Sequence, residues 1–190
     1  MTMTKTVWTR TAVIGAVALA ATIGMAGPAS AQGEQALPVP GVAPARDVPG
    51  AHEVPDATTE YKVLFDVVRG PEKPSDVNPM LQAAARYLNT LAKVGVPAAH
   101  RQIAVIFHQG GTPAILQDEA YKARNDGQSN PNIEIIRALA NAGVEFHVCG
   151  QAVLGMKIDA EDIQPEIQVD LWALTSIVNM QSRGYVRIGG

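Results

Sequence analysis

The stretch "QIAVIFH", residues 102–108, is apolar almost throughout, and this narrows the folds open to the chain. Successive strand residues point to opposite sides, so a strand apolar on both sides must be covered on both. A sheet with helices on its two faces provides that cover, and the flanking sequence agrees with it. "YKVLFDVV" (61–68), "VEFHV" (144–148), "EIQVDLWA" (166–173) and the short "YVRI" (185–188) read as four more strands. Helices fill the intervals. Asn78-Pro79 pairs a capping side chain with proline at a first helical position. Leu81, Ala84, Leu88, Leu91 and Ala92 then keep three-to-four spacing up to Gly95. Asn130-Pro131 repeats the signal before Ile133, Ile136, Leu139 and Ala140, with Gly143 as the stop, and a last helix spans 174–183. Parallel neighbours need long crossovers, so five strands separated by helices predict a three-layer α/β/α domain around a mainly parallel five-stranded sheet. Strand order is not encoded in this pattern.

The domain occupies residues 60–190. Residues 1–31 carry Lys5 and Arg10, then an uncharged stretch from Thr11 to Met25, then Ala29-Ser30-Ala31. That three-part layout reads as a cleaved signal peptide, which implies a secreted or periplasmic protein. The apolar run is short for a spanning helix and no second candidate follows, so no membrane span is expected in the mature chain. Residues 32–59 hold Pro38, Pro40, Pro44, Pro49 and Pro55 without helical or strand periodicity, and read as an extended, mobile linker. His52, within it, reads as solvated. Removing the leader takes two basic and no acidic side chains, leaving 13 against 18, a net of −5. A mildly acidic chain without a basic run gives no electrostatic reason to expect nucleic acid or an anionic membrane as a partner.

One cysteine, Cys149, is present, so no intramolecular disulfide forms and the fold rests on its core. In open parallel sheets ligands gather at the carboxyl ends of the strands. Cys149 lies one residue beyond the third strand, before a short helix starting near Gln151. A helix start there favours thiolate, the reactive form. Gly150 and Gln151, at the same turn, are binding candidates. His108 ends the second strand in the same manner, followed by "QGGTP", in which Gly110 and Gly111 allow backbone to approach a ligand. If the second and third strands flank one crevice, His108 and Cys149 face one pocket. Other readings stay open. A lone cysteine also serves as a small buried hydrophobe, and "QGGT" suits a tight turn, with no Walker or dinucleotide fingerprint present. His147 shares a strand face with the thiol and reads as packing, as does Trp172; His100 reads as surface. The polar stretch 118–130 is long for a connection and reads as a lid or a subunit contact.

Cys149-Gly150 after "VEFHV", the "EDIQPEI" segment and the closing "LTSIVNMQSRGYVRI", together with "YKVLFDV" and "NPMLQAAARYLNTL", resemble the DsrE/DsrF-like family of sulfur-relay proteins. The resemblance spans roughly residues 60–190. It implies a five-stranded α/β/α layer domain assembled as a homo-oligomer, typically a trimer or hexamer. In the best-understood members sulfur travels as a persulfide on a cysteine that aligns with Cys149, and for such a carrier no cofactor and no metal are expected here. The implied partners are a sulfur donor or acceptor protein or a small thiol. Two departures stand out: those members act in the cytoplasm, and they work beside sister subunits. Two further readings remain: a soft-metal protein using Cys149 with His147, His108 or Met156 as Cu(I) ligands, and a non-catalytic oligomeric module in which Cys149 only packs.

Overall fold

The computed structural model describes residues 36–190. The signal-peptide reading of residues 1–31 and the first residues of the proline-rich segment lie outside the described residues. The elements run β1 (Tyr61–Val67), α1 (Pro79–Lys93), β2 (Arg101–Phe107), α2 (Asp118–Lys122), α3 (Ile133–Asn141), β3 (Glu145–Cys149), α4 (Gly150–Gly155), β4 (Ile167–Asp170), α5 (Ala173–Ser182) and β5 (Val186–Gly189). All five strands pair in parallel in the order β4-β3-β2-β1-β5. The most apolar strand, β2, is the central one. The predicted architecture is therefore observed, and the sheet is wholly rather than mainly parallel. Among the described residues no helix is long and apolar enough to cross a membrane.

Strand alternation divides the core in two. Val63, Phe65, Val67, Ile103, Val105, Phe107, Phe146 and Val148 point to one face, against Leu81, Ala84, Ala85 and Leu88 of α1 and Ile136 and Leu139 of α3. The opposite face is thinly covered: its core is seven side chains, Leu64, Ala104, Ile106, Cys149, Ala173, Ile177 and Met180. Only α5 and the one-and-a-half-turn α4 lie over it. That imbalance leaves room for a groove.

The helix starts are tied to one another by asparagines. Asn78 caps α1, its Oδ1 accepting from the Met80 N–H at 2.9 Å, and the Asn78 N–H in turn donates to Asn132 Oδ1 at 2.8 Å. Asn130 Oδ1 accepts from the Asn132 N–H at 2.9 Å, while its Nδ2 reaches the carbonyls of Ala114 and Leu116. The Asn130-Pro131 signal thus belongs to a buried turn, and α3 begins at Ile133. The polar stretch 118–130 is fastened rather than free. Tyr121 is buried with its hydroxyl on the Pro74 carbonyl at 2.7 Å, and Arg124 donates to the Met156 and Lys157 carbonyls.

The proline-rich segment departs from the mobile linker expected over 32–59. Val39 is 1% exposed and belongs to the main core. Asn89, fully buried on the inner side of α1, accepts from the Val39 N–H and donates to the Val39 and Val42 carbonyls, all within 2.9 Å. Thr90 Oγ1 accepts from the Ala45 N–H, and Lys93 pairs with Asp47 at 2.6 Å. The physical reason lies in α1: an amide buried among leucines and alanines needs partners, and an extended backbone without secondary structure of its own has free groups to supply them. Past Asp47 the segment is exposed nearly throughout, and His52 is solvated as expected.

Candidate functional site

Three parallel strands end side by side at the site. The β2–β3 register pairs Phe107 with Val148, so the next step along both strands sets His108 beside Cys149. His108 keeps an extended backbone, φ −155° and ψ 171°, and its N–H extends the ladder to β1 by bonding the Val67 carbonyl at 3.2 Å. Alternation then puts His108 and Cys149 on the face that carries α5. Both line one groove of about 560 Å³, whose walls also include Gln109, Ala152, Met156, Trp172 and Leu174. No lysine, arginine, aspartate or glutamate lines it. Cys149 is only 4% exposed, so it borders the groove from within the sheet rather than standing out in it.

Behind His108 lies an ionic chain. His108 Nε2 is 2.7 Å from Asp66 Oδ1, and Asp66 Oδ2 accepts from Arg187 Nε at 2.7 Å and from Arg187 Nη2. The Asp66 side chain is wholly buried. A carboxylate so placed is tolerable only when paired and hydrogen-bonded, and here each oxygen has its own donor group. Arg187 comes from β5 at the register position of Leu64, on the same side of the sheet as Asp66. Four strand ends, from β5, β1, β2 and β3, therefore contribute Arg187, Asp66, His108 and Cys149.

Not every candidate joins them. Gly111 packs against the end of β1 and Gly110 against the turn that follows it, and neither lines the groove. A Cβ on Gly111 would lie 2.1 Å from the Val67 carbonyl oxygen, so glycine is required there by backbone contact. They border a separate cavity of about 160 Å³ beside Pro71, Pro74 and Tyr121. This corrects the expectation that they hold a ligand next to His108. Gly150 is likewise a contact glycine, since a Cβ would sit 2.6 Å from the Asp170 carbonyl oxygen. Gln151 does line the groove, its Nε2 reaching the Leu171 carbonyl at 3.2 Å. α4 starts at Gly150, as short as expected.

His147 shares the thiol's face, as its spacing implies, but is occupied by Asp170, Nδ1 to Oδ1 at 3.2 Å. Among the described residues no group of three His, Cys, Asp or Glu side chains is arranged to hold a metal ion. Trp172 is not a packed strand residue. β4 stops at Asp170, and Trp172, 48% exposed, caps α5 at the groove's edge. His100 is half-buried in a turn at the far, amino end of β2, with Nδ1 unpartnered. The sequence reading did not single out Asp66, Arg187 or Gln109. Asp66 has a visible signal, as the lone acidic residue in a strand otherwise apolar after Lys62. Gln109, next to His108, holds φ +50°, a left-handed conformation uncommon outside glycine and asparagine.

A comparison with curated proteins finds no match. Among solved structures, the protein of unknown function MTH1491 from Methanobacterium thermoautotrophicum is similar, with 20% identity and a TM-score of 0.49 over 67% of this chain and 99% of that one. The profile of the DsrE/DsrF-like family matches residues 62–188, from the second residue of β1 into β5, and so takes in every strand that brings a side chain to the groove. By that match the chain belongs to the DsrE/DsrF-like family, a family associated with sulfur relay.

Proposed function

We propose that this protein is a sulfur carrier that holds sulfane sulfur as a persulfide on Cys149. The observation that supports this reading is the position of the sulfur, at the carboxyl end of β3, edging a groove shared with His108. Carriage needs a nucleophilic thiol and a path for a donor, and the groove that Cys149 lines offers that path to the tip of a narrow donor such as a terminal persulfide sulfur. The walls narrow the donor further. Met156, Trp172, Leu174 and Ala152 with no lysine or arginine favour sulfane sulfur borne on an uncharged or apolar group over an inorganic dianion. The leader-like sequence of residues 1–31 supports a site of action outside the cytoplasm. Incubation of the full chain with an organic persulfide should add about 32 mass units, one sulfur, and Cys149→Ser should abolish the gain. Thiosulfate should be the poorer donor. A native protein that gains no sulfur, with a thiol alkylated only in denaturant, would overturn the proposal.

One observation favours a second reading, in which Cys149 only packs. It belongs to the apolar cluster with Leu64, Ala104 and Ile106. That reading gives no sulfur gain from any donor, so the same mass measurement separates the two.

A further inference from the structure

We infer that Arg187, Asp66 and His108 form a proton relay for Cys149, with His108 as the group that takes and returns the thiol proton and Asp66 and Arg187 as positioning residues. This deepens the reading of Cys149 as a sulfur carrier and rests on it for the identity of the reaction, though not for the relay itself.

Hydrogen-bond bookkeeping fixes the direction. The Arg187 guanidinium donates only, and it is charged at any ordinary pH. It donates to Asp66 Oδ2, and the carboxylate, facing a guanidinium on one oxygen, is an acceptor on the other. The 2.7 Å contact from Asp66 Oδ1 to His108 Nε2 is therefore made by a proton on Nε2. In the neutral ring the lone pair then lies on Nδ1. Among the described residues Nδ1 has no hydrogen-bond partner, although His108 is only 8% exposed and borders the groove. A histidine serving only to tie β1 to β2 has no use for a basic nitrogen left over at a groove. Cys149 is the neighbouring position on the adjacent parallel strand, about 4.8 Å away at the backbone. The other elements around His108 bring no competing charge: residues 109–115, α4 and α5 contain no titratable side chain. On the same face lie His147 with Asp170 and Glu145, engaged with one another, and Lys62 near the amino end of β1. Tyr185 packs against the cluster that holds Cys149, and burial raises its pKa above the usual tyrosine range.

The step balances without an oxidant. The Cys149 thiol gives its proton to His108 Nδ1, and the thiolate attacks the terminal sulfur of a persulfide R–S–SH. A new S–S bond forms to Cys149 while the donor's S–S bond breaks. Its electron pair leaves on R–S⁻, which takes the proton back from His108. Cys149 becomes a persulfide, the donor becomes a thiol, and no net oxidation occurs. The imidazolium formed in between faces the buried Asp66 carboxylate, which stabilises it.

The test is the rate of iodoacetamide alkylation of the folded full chain as a function of pH, a readout that needs no sulfur donor. His108→Gln should slow alkylation near pH 6.5 by about tenfold or more and converge on the parent rate near pH 9, where the thiol ionises unaided. Asp66→Asn should do the same while keeping a hydrogen bond. Its amide donates to Nε2, moving the ring proton to Nδ1 and removing the base. A purely structural pair would leave the pH profile of either folded variant where it was, and that result overturns the relay. Should one variant fail to fold, the profile of the other decides. Parent protein that gains sulfur while both variants keep the parent profile refutes the relay alone. A shifted profile in protein that takes up no sulfur refutes the carrier reading alone.

Discussion

Asp66 shows what a single residue can and cannot announce. An acidic side chain inside "VLFDVV" is out of place in a strand covered on both faces, and it is the one polar break visible there in the sequence. Its partner is not visible, because Arg187 lies 121 positions away and reaches it only once β5 settles beside β1. The pattern of apolar residues gives the strands but not their order, so the pairing that neutralises a buried charge could not be read. Cys149 and His108 were legible because each sits at the end of its own strand, a local property. Gly110 and Gly111 were misread because close backbone approach serves a neighbouring strand as well as a ligand. Gly111→Ala should accordingly destabilise the domain by about 3 kcal/mol or more, since a Cβ 2.1 Å from the Val67 oxygen forces β1 and the 109–115 turn apart. Thermal melting of the variant measures this; a loss below about 1 kcal/mol would mean the two backbones separate easily.

Among the elements, α1 carries the contact that composition concealed. Residues 37–47 look unable to fold because they hold too little apolar surface, and alone they are. They are ordered by a surface already built: Val39 enters the core and Asn89 supplies three hydrogen bonds to backbone with no other partner. The sequence does contain Asn89 between Leu88 and Leu91, yet an isolated asparagine at a helix interior reads as exposed until the helix is packed. Deleting residues 1–47 should remove about 3 kcal/mol, the burial of one valine and several hydrogen bonds, and lower the melting temperature by about 10 °C. Asn89→Ala should give part of this loss in the full chain and almost none in the shortened one, because both changes remove the same contact. A shortened chain that melts within about 2 °C of the parent would show that the segment is dispensable.

At the scale of the whole molecule the sheet is lopsided. One face is sealed by α1 and α3, while the other leaves Leu171, Trp172, Leu174 and Val178 about half exposed or more around α5. Contiguous apolar surface of that kind on a folded domain marks a contact surface. We expect a homo-oligomer, a trimer or hexamer, in which α5 is covered and the groove acquires a further wall. Light scattering at micromolar concentration checks this, and a monomeric mass would contradict it. Trp172→Glu should shift the assembly toward monomer, with the melting temperature of the separated subunit little changed. A second consequence follows from the four strand ends. The first and last strands of the chain, β1 and β5, must be paired before Arg187 can reach Asp66. A chain that has not yet paired β5 holds the cysteine without the Arg187 contact that the proposed relay uses. The relay proposed above is thus complete only once β5 is paired, whatever the state of the strand that carries the cysteine.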